Sequence, residues 1–123
     1  MAELGLGIGV TEVSHNIQIN AVAFQEGGDH GLWVVQGIEY DIVAHCSSVE
    51  AIPDAFMRAV IENARITEHL GRKPLEGIRP APDRFREMYN RSKTELKPVA
   101  LSAPVSTMRP DLSVRVLGSA IAA

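Results

Sequence analysis

The spacing of apolar residues changes once along this chain, at Ser47 and Ser48, and that change most limits the possible folds. Before it, apolar residues come in short runs rich in β-branched and aromatic side chains, as in strands. After it, they recur every three or four positions, as on one face of a helix. The runs that predict strands are 17–24, 32–38 and 42–46.

The segment between the first two predicted strands favours a tight reversal of the chain. Residues 26–31 include Gly27, Gly28 and Gly31. Glycine adopts positive φ at little steric cost, so the chain can turn back on itself here. The two runs are therefore predicted to form a hairpin.

The helix that follows has start and stop signals in the sequence. Ser47 and Glu50 have the spacing of a capping box, in which each side chain bonds the other's backbone N–H. Pro53 gives an alternative, in which the regular part of the helix begins at the proline, where a first-turn proline is tolerated. Gly71, with Pro74 shortly after it, predicts the end.

These signals predict an α+β fold, in which a small three-stranded antiparallel sheet packs on one long helix in the order β-β-β-α. A second amphipathic helix is predicted from Arg84 to about Lys97, before Pro98. The tail contains one strand-like run, 112–117, and is predicted to be an extended arm that adds an edge strand or lies across a neighbouring copy. The predicted divisions are an N-terminal arm 1–16, a core 17–71, a linker with the second helix 72–98 and a C-terminal arm 99–123.

Composition excludes several classes of protein. An apolar content of 46% excludes a mostly disordered chain, and a net charge of −3 indicates no general attraction to nucleic acid or anionic membranes. No run approaches the roughly 20 apolar residues that span a bilayer, and the N-terminus lacks a signal-peptide pattern. Cys46 is the only cysteine, which fits a reducing compartment. A soluble cytoplasmic protein is expected.

No motif for catalysis, a cofactor or a metal emerges from the sequence. His45 and Cys46 are adjacent on a predicted strand, so their side chains point to opposite faces and do not form a nucleophile pair. Glu39 and Asp41 are two apart in a loop, but almost any acidic turn has this spacing. The four histidines share no metal-ligand spacing with one another or with Cys46. The protein is therefore expected not to be an enzyme.

Aromatic and basic residues are the candidates for contacts with a partner. The second predicted helix carries several cations that could hold RNA phosphates, although a solvated helix face explains them equally well. Glu87 and Glu95 interrupt this basic surface. The residues predicted to bind a partner are Trp33, Tyr40, Arg84, Tyr89 and Arg91.

The local sequences Gly31-Leu-Trp-Val-Val35 and Cys46-Ser-Ser-Val-Glu-Ala51, within the strand and helix order above, resemble the HicB-like antitoxin family over about residues 17–70. That family has a partial double-stranded-RNA-binding-domain fold. The resemblance implies a small, usually oligomeric, non-catalytic protein that binds and blocks a partner such as a HicA-like ribonuclease toxin. The family's Pro-Gly-Cys-type turn is replaced here by 39–41, and no DNA-binding motif of the family follows Lys97.

Three functions therefore stand as hypotheses. The first is a non-catalytic protein-binding module that uses its sheet edge and C-terminal arm and forms a homo-oligomer. The second is a structural subunit of a phage particle or other assembly, with the arms laced between copies. The third is an RNA-binding module that depends on the basic second helix.

Overall fold

A computed structural model of the chain describes residues 15–27, 31–96 and 108–117. The strands in these ranges are β1 (His15–Gln25), β2 (Trp33–Gly37), β3 (Val43–Cys46), β4 (Thr94–Leu96) and β5 (Met108–Val116). The helices are α1 (Ile52–His69) and α2 (Asp83–Arg91).

All five strands form one mixed sheet in the order β3-β2-β1-β5-β4. The first three strands pair antiparallel and precede α1, and the expected hairpin of β1 and β2 is present. The predicted three-stranded antiparallel sheet is nevertheless wrong, because β5 pairs parallel to β1 and β4 pairs antiparallel to β5. Only the coarse α+β class is confirmed.

The strand-like run of the tail lies inside the sheet of its own chain. β5 pairs with β1 over nine residues, from His15↔Met108 to Ala23↔Val116. Among the described residues, its other side is covered by β4 only at residues 114–116. Pro110, which has no N–H to donate, therefore lies where β5 has a described neighbour on one side only. The prediction of an arm that adds an edge strand is corrected by this pairing.

The second helix is shorter than predicted. α2 ends at Arg91, because Ser92 is extended, with ψ of 133°. The Ser92 side chain is buried and donates a hydrogen bond of 2.7 Å to the Met88 carbonyl. Residues 94–96, which the helical pattern assigned to the helix, form β4 instead. Pairing with β5 overrides the weak local helical preference here.

α1 begins after Ala51 and has no side-chain cap, so the predicted capping box of Ser47 and Glu50 is wrong. Pro53 is the second helical residue, where its missing N–H has no intrahelical partner to lose. The predicted stop is confirmed. Gly71 has φ of +81°, and the N–H groups of Gly71 and Arg72 bond the carbonyls of Glu68 and Thr67 in a Schellman motif.

The two helices cover opposite faces of the sheet. Alternate residues of β1 point to each face, so Ile19 packs with the α1 core and Val22 packs with α2. The α1 face is the larger core and is centred on Phe56 and Val60. Within the described ranges, neither helix combines the length and the apolar character that crossing a bilayer requires.

Candidate functional site

The backbone of β3 has polar groups that point away from the sheet. The Gly37 N–H donates a hydrogen bond of 2.8 Å to the Ile42 carbonyl. In an antiparallel pair, every second residue bonds the neighbouring strand, so this bond determines which residues of β3 face β2. The backbone groups of Ala44 and Cys46 bond β2, and those of Val43 and His45 point outward. We call these outward groups of Val43 and His45 the β3 edge. In the described part of the chain, no strand pairs with them.

The side chains around the β3 edge differ between the two faces. On the α1 side, Ile42 and Ala44 are buried under the helix. On the α2 side, Val43 is 43% exposed and His45 is exposed, because α2 covers β1 rather than β3. Leu32, just before β2, is 54% exposed and by alternation lies on this same side. The β3 edge thus adjoins an open, partly apolar surface.

The loop 38–42 sets where this edge begins. A Cβ atom at Gly37 would lie only 2.6 Å from the Tyr40 carbonyl oxygen, so glycine allows the loop to fold close to the strand. Gln36 Nε2 donates to Asp41 Oδ1 at 2.8 Å. The Asp41 N–H donates to the Arg79 carbonyl at 2.6 Å. Residues 70–82, which connect α1 to α2 and are called the connector, therefore cover the Asp41 end, and the open edge starts at Val43.

A polar network lies between α2 and the sheet. Glu39 accepts hydrogen bonds from the Asn20 N–H and from Asn20 Nδ2, both at 2.7 Å. Arg86 lies 3.5 Å from the same carboxylate. Both Glu39 oxygens are therefore engaged by the protein, so this carboxylate is poorly placed to pair with Asp41 around a cation.

The network continues from α2 to β5 and β4. The Tyr89 hydroxyl contacts Asn20 Oδ1 and Ser113 Oγ, and Ser113 Oγ donates to Glu95 at 3.2 Å. The Arg115 guanidinium lies over the Tyr89 ring, 4.3 Å from its centroid. These groups satisfy one another, so the network joins α2 to the sheet and presents no unpaired group for chemistry.

The five residues predicted to bind a partner are divided between the two faces. Trp33 is only 4% exposed and belongs to the α1 core, and Tyr40 packs against the same core. Tyr89 is 8% exposed and faces the sheet from α2. Arg84 and Arg91 are exposed on α2, and the Arg84 guanidinium lies 4.6 Å from the centre of the Phe85 ring. Contact of these residues with a partner stays a prediction.

Cys46 is half-buried on the α1 side, and its thiol donates to the Ser48 carbonyl at 3.4 Å. Burial raises the pKa of the Cys46 thiol, which disfavours the nucleophilic thiolate. Among the described residues, no group of three or more His, Cys, Asp or Glu side chains is arranged to hold a metal ion. Asp29 and His30, an adjacent carboxylate and imidazole in the predicted turn between β1 and β2, lie outside the described residues.

The sequence predicts a sheet edge as a contact surface but does not identify β3 as that edge, and it does not predict the network. Asn20, Ser113 and Arg115 each lie between two apolar residues of their strand, a pattern that indicates a shared polar contact on one face. The edge position of β3 depends on the order of strands, which no local pattern records.

No protein-family model matches this chain, and neither the curated proteins nor the solved structures contain a significant match.

Proposed function

We propose that this chain is a non-catalytic protein-binding module that binds a partner by pairing an extended segment of the partner with β3. The β3 edge supports this proposal. Its N–H and C=O groups point outward in the geometry that strand addition uses. Backbone hydrogen bonds would give affinity, and Val43, His45 and Leu32 would contact alternate side chains of the added segment.

The composition of β3 supports the same reading. Proteins commonly protect exposed edges with lysine, proline, a bulge or a very short strand. Residues 43–46 are Val-Ala-His-Cys and include neither lysine nor proline. The opposite edge of the described sheet, β4, has three residues against four in β3, and its two exposed side chains, Thr94 and Glu95, are both polar, whereas β3 exposes Val43. Of the two edges, β3 is the better surface for a partner strand.

The resemblance of residues 17–70 to HicB-like chains supports a small ribonuclease toxin as the first class of partner to test. A bound toxin would be neutralised by steric blockage, with no chemistry supplied by this chain. The raised pKa of Cys46 and the mutual pairing within the Tyr89 network are consistent with this non-catalytic role.

The test uses a proline at His45. Because the His45 N–H points outward, His45→Pro removes a donor of the β3 edge and leaves the β2–β3 ladder bonds in place. His45→Thr is the matched control, because it keeps the N–H and a strand-forming residue. Binding to a panel of HicA-like toxins is measured by calorimetry, after circular dichroism shows that both variants fold.

We expect His45→Pro to weaken binding at least tenfold and His45→Thr to weaken it little. Equal binding by the folded proline variant would exclude strand addition at β3. Binding to no toxin in the panel would exclude that partner class.

RNA binding is a second candidate, because Arg84, Arg91 and Lys93 are exposed rather than buried in ion pairs. Replacing all three with glutamine should then reduce binding to a fluorescent RNA duplex and flatten its salt dependence. If the unmodified chain does not bind the RNA duplex at low salt, RNA binding is excluded.

A further inference from the structure

A stripe along one flank of α1 has a spacing that is the same in both directions. Its gaps are four, three, one, three and four residues. With 3.6 residues per turn, these positions lie on one side of the helix, next to the buried face. The stripe consists of Ala55, Ala59, Glu62, Asn63 and Ile66 of α1 together with Leu70, the C-cap residue directly after the helix.

The two halves of this α1 stripe differ in size and exposure. Ala55 and Ala59 are small and half-buried. Ile66 and Leu70 are large, and they are 59% and 63% exposed. They line an open depression of about 390 Å³ together with Arg65 and His69. Large apolar side chains exposed side by side on a helix indicate a surface that another surface covers.

We propose that the α1 stripe binds the α1 stripe of a second copy of this chain, with the two helices antiparallel. A twofold axis between Glu62 and Asn63 places Ala59 level with the partner subunit's Ile66, and Ala55 level with the partner subunit's Leu70. Each large side chain then enters the space left by an alanine, as knobs enter holes. The symmetric spacing is what an isologous contact requires.

Charge favours the antiparallel arrangement over a parallel one. Glu62 and Arg65 are both exposed on the solvent side of the stripe. In the antiparallel pair, Glu62 lies within about 3 Å of the height of the partner subunit's Arg65, since each residue rises about 1.5 Å. A parallel pair would oppose Glu62 to itself and Arg65 to itself, and would place alanine against alanine.

The size of the contact predicts its strength. One helix flank per copy covers less than the roughly 800 Å² per partner of a standard stable interface. The dimer should therefore be weak and should dissociate on dilution. This contact does not involve the β3 edge, so it holds or fails independently of the proposed partner binding.

The first test is sedimentation equilibrium of the full chain over a concentration series. Ile66→Gln with Leu70→Gln keeps good helix formers at exposed positions, so the fold is retained. We expect the dissociation constant of the dimer to rise at least tenfold. The control, Leu32→Gln with Val43→Gln, alters the other two large hydrophobic residues that are exposed in the described part of the chain, and it should leave dimerisation unchanged. A monomer at all concentrations, or a dimer insensitive to the first pair, overturns the proposal.

The second test fixes the register with disulfides in a Cys46→Ala background. Ala59→Cys and Ile66→Cys chains are oxidised separately and as a mixture. In the proposed pair, two copies of position 59 are about 10 Å apart along the axis, which is too far for a disulfide, whereas 59 and 66 are level. Linked dimers should form mainly in the mixture. Equal linking in either separate sample, or no linking in the mixture, contradicts this register.

Discussion

The Tyr89 hydroxyl on α2 lies 2.7 Å from Ser113 Oγ on β5, and it also lies 3.1 Å from Asn20 Oδ1 on β1. A single side chain therefore joins the second helix to both members of the parallel strand pair. Tyr89 is buried, so water has little access to these groups. The contact fixes how α2 lies on the sheet and, through Asn20 and Glu39, holds the loop that leads to the β3 edge.

Removing this hydroxyl should destabilise the fold measurably. Tyr89→Phe keeps the ring under Arg115 but leaves Asn20 and Ser113 without their shared partner. We expect the free energy of unfolding in urea to fall by about 1 kcal/mol. Tyr40→Phe is the matched control, because Tyr40 is half-buried and its hydroxyl has no hydrogen-bond partner among the described residues. Equal effects of the two substitutions would show that the Tyr89 hydroxyl contributes nothing.

The same contact shows what the sequence predicts and what it does not. The hairpin of β1 and β2, the end of α1 at Gly71 and the β-β-β-α order are local features, and local patterns predicted them. Tyr89 and Asn20 are 69 residues apart, and Tyr89 and Ser113 are 24 apart. Their meeting depends on parallel pairing of β1 with β5, which no short-range spacing encodes.

Two errors have the same physical origin. The alternating pattern of 112–117 predicts a strand but not its place inside the sheet, because alternation identifies a strand and not its neighbours. Residues 94–96 continued a helical spacing and became β4 because β5 offered a hydrogen-bonding edge. Trp33 illustrates the limit for sites, since an aromatic residue predicted to bind a partner lies in the core.

Thr67 provides a second measurable contact, where α1 meets the connector. Its Oγ1 accepts a hydrogen bond of 2.8 Å from the Leu75 N–H, and Leu75 is fully buried with φ of 67°. Thr67→Val leaves this N–H without a partner and should lower the free energy of unfolding by about 1–3 kcal/mol. Thr67→Ser keeps the acceptor and should cost clearly less. The measurement is urea unfolding of the two variants. Equal losses of unfolding free energy would refute the role of the hydroxyl.

Gly37 should be intolerant of a side chain. The added Cβ atom of Gly37→Ala would lie 2.6 Å from the Tyr40 carbonyl oxygen and 3.2 Å from Phe56 Cζ. Because the backbone must move to accommodate this atom, we expect the free energy of unfolding to fall by about 1–3 kcal/mol. We also expect the amide NMR shifts of Val43 and His45 to change. Gly71→Ala is the comparison, since it meets open space and its cost comes from positive φ alone. That variant should leave the shifts of β3 unchanged. An unperturbed β3 in Gly37→Ala would mean that the loop does not position the edge.

Burial of Cys46 should make the stability of the fold depend on alkaline pH. Its pKa is raised in the folded chain, so the unfolded chain loses the thiol proton first as pH rises. The contribution of the protonated thiol is fully present below the unfolded pKa and is lost as pH rises through the folded pKa. Cys46→Ala removes this titration. As pH rises from the unfolded pKa through the folded pKa, the unfolding free energy of the wild type should therefore fall relative to that of the variant. Alkylation of Cys46 near neutral pH should likewise be slower in the folded chain than in urea. A difference that is flat with pH, together with fast alkylation of the folded chain, would show that the thiol is not shielded.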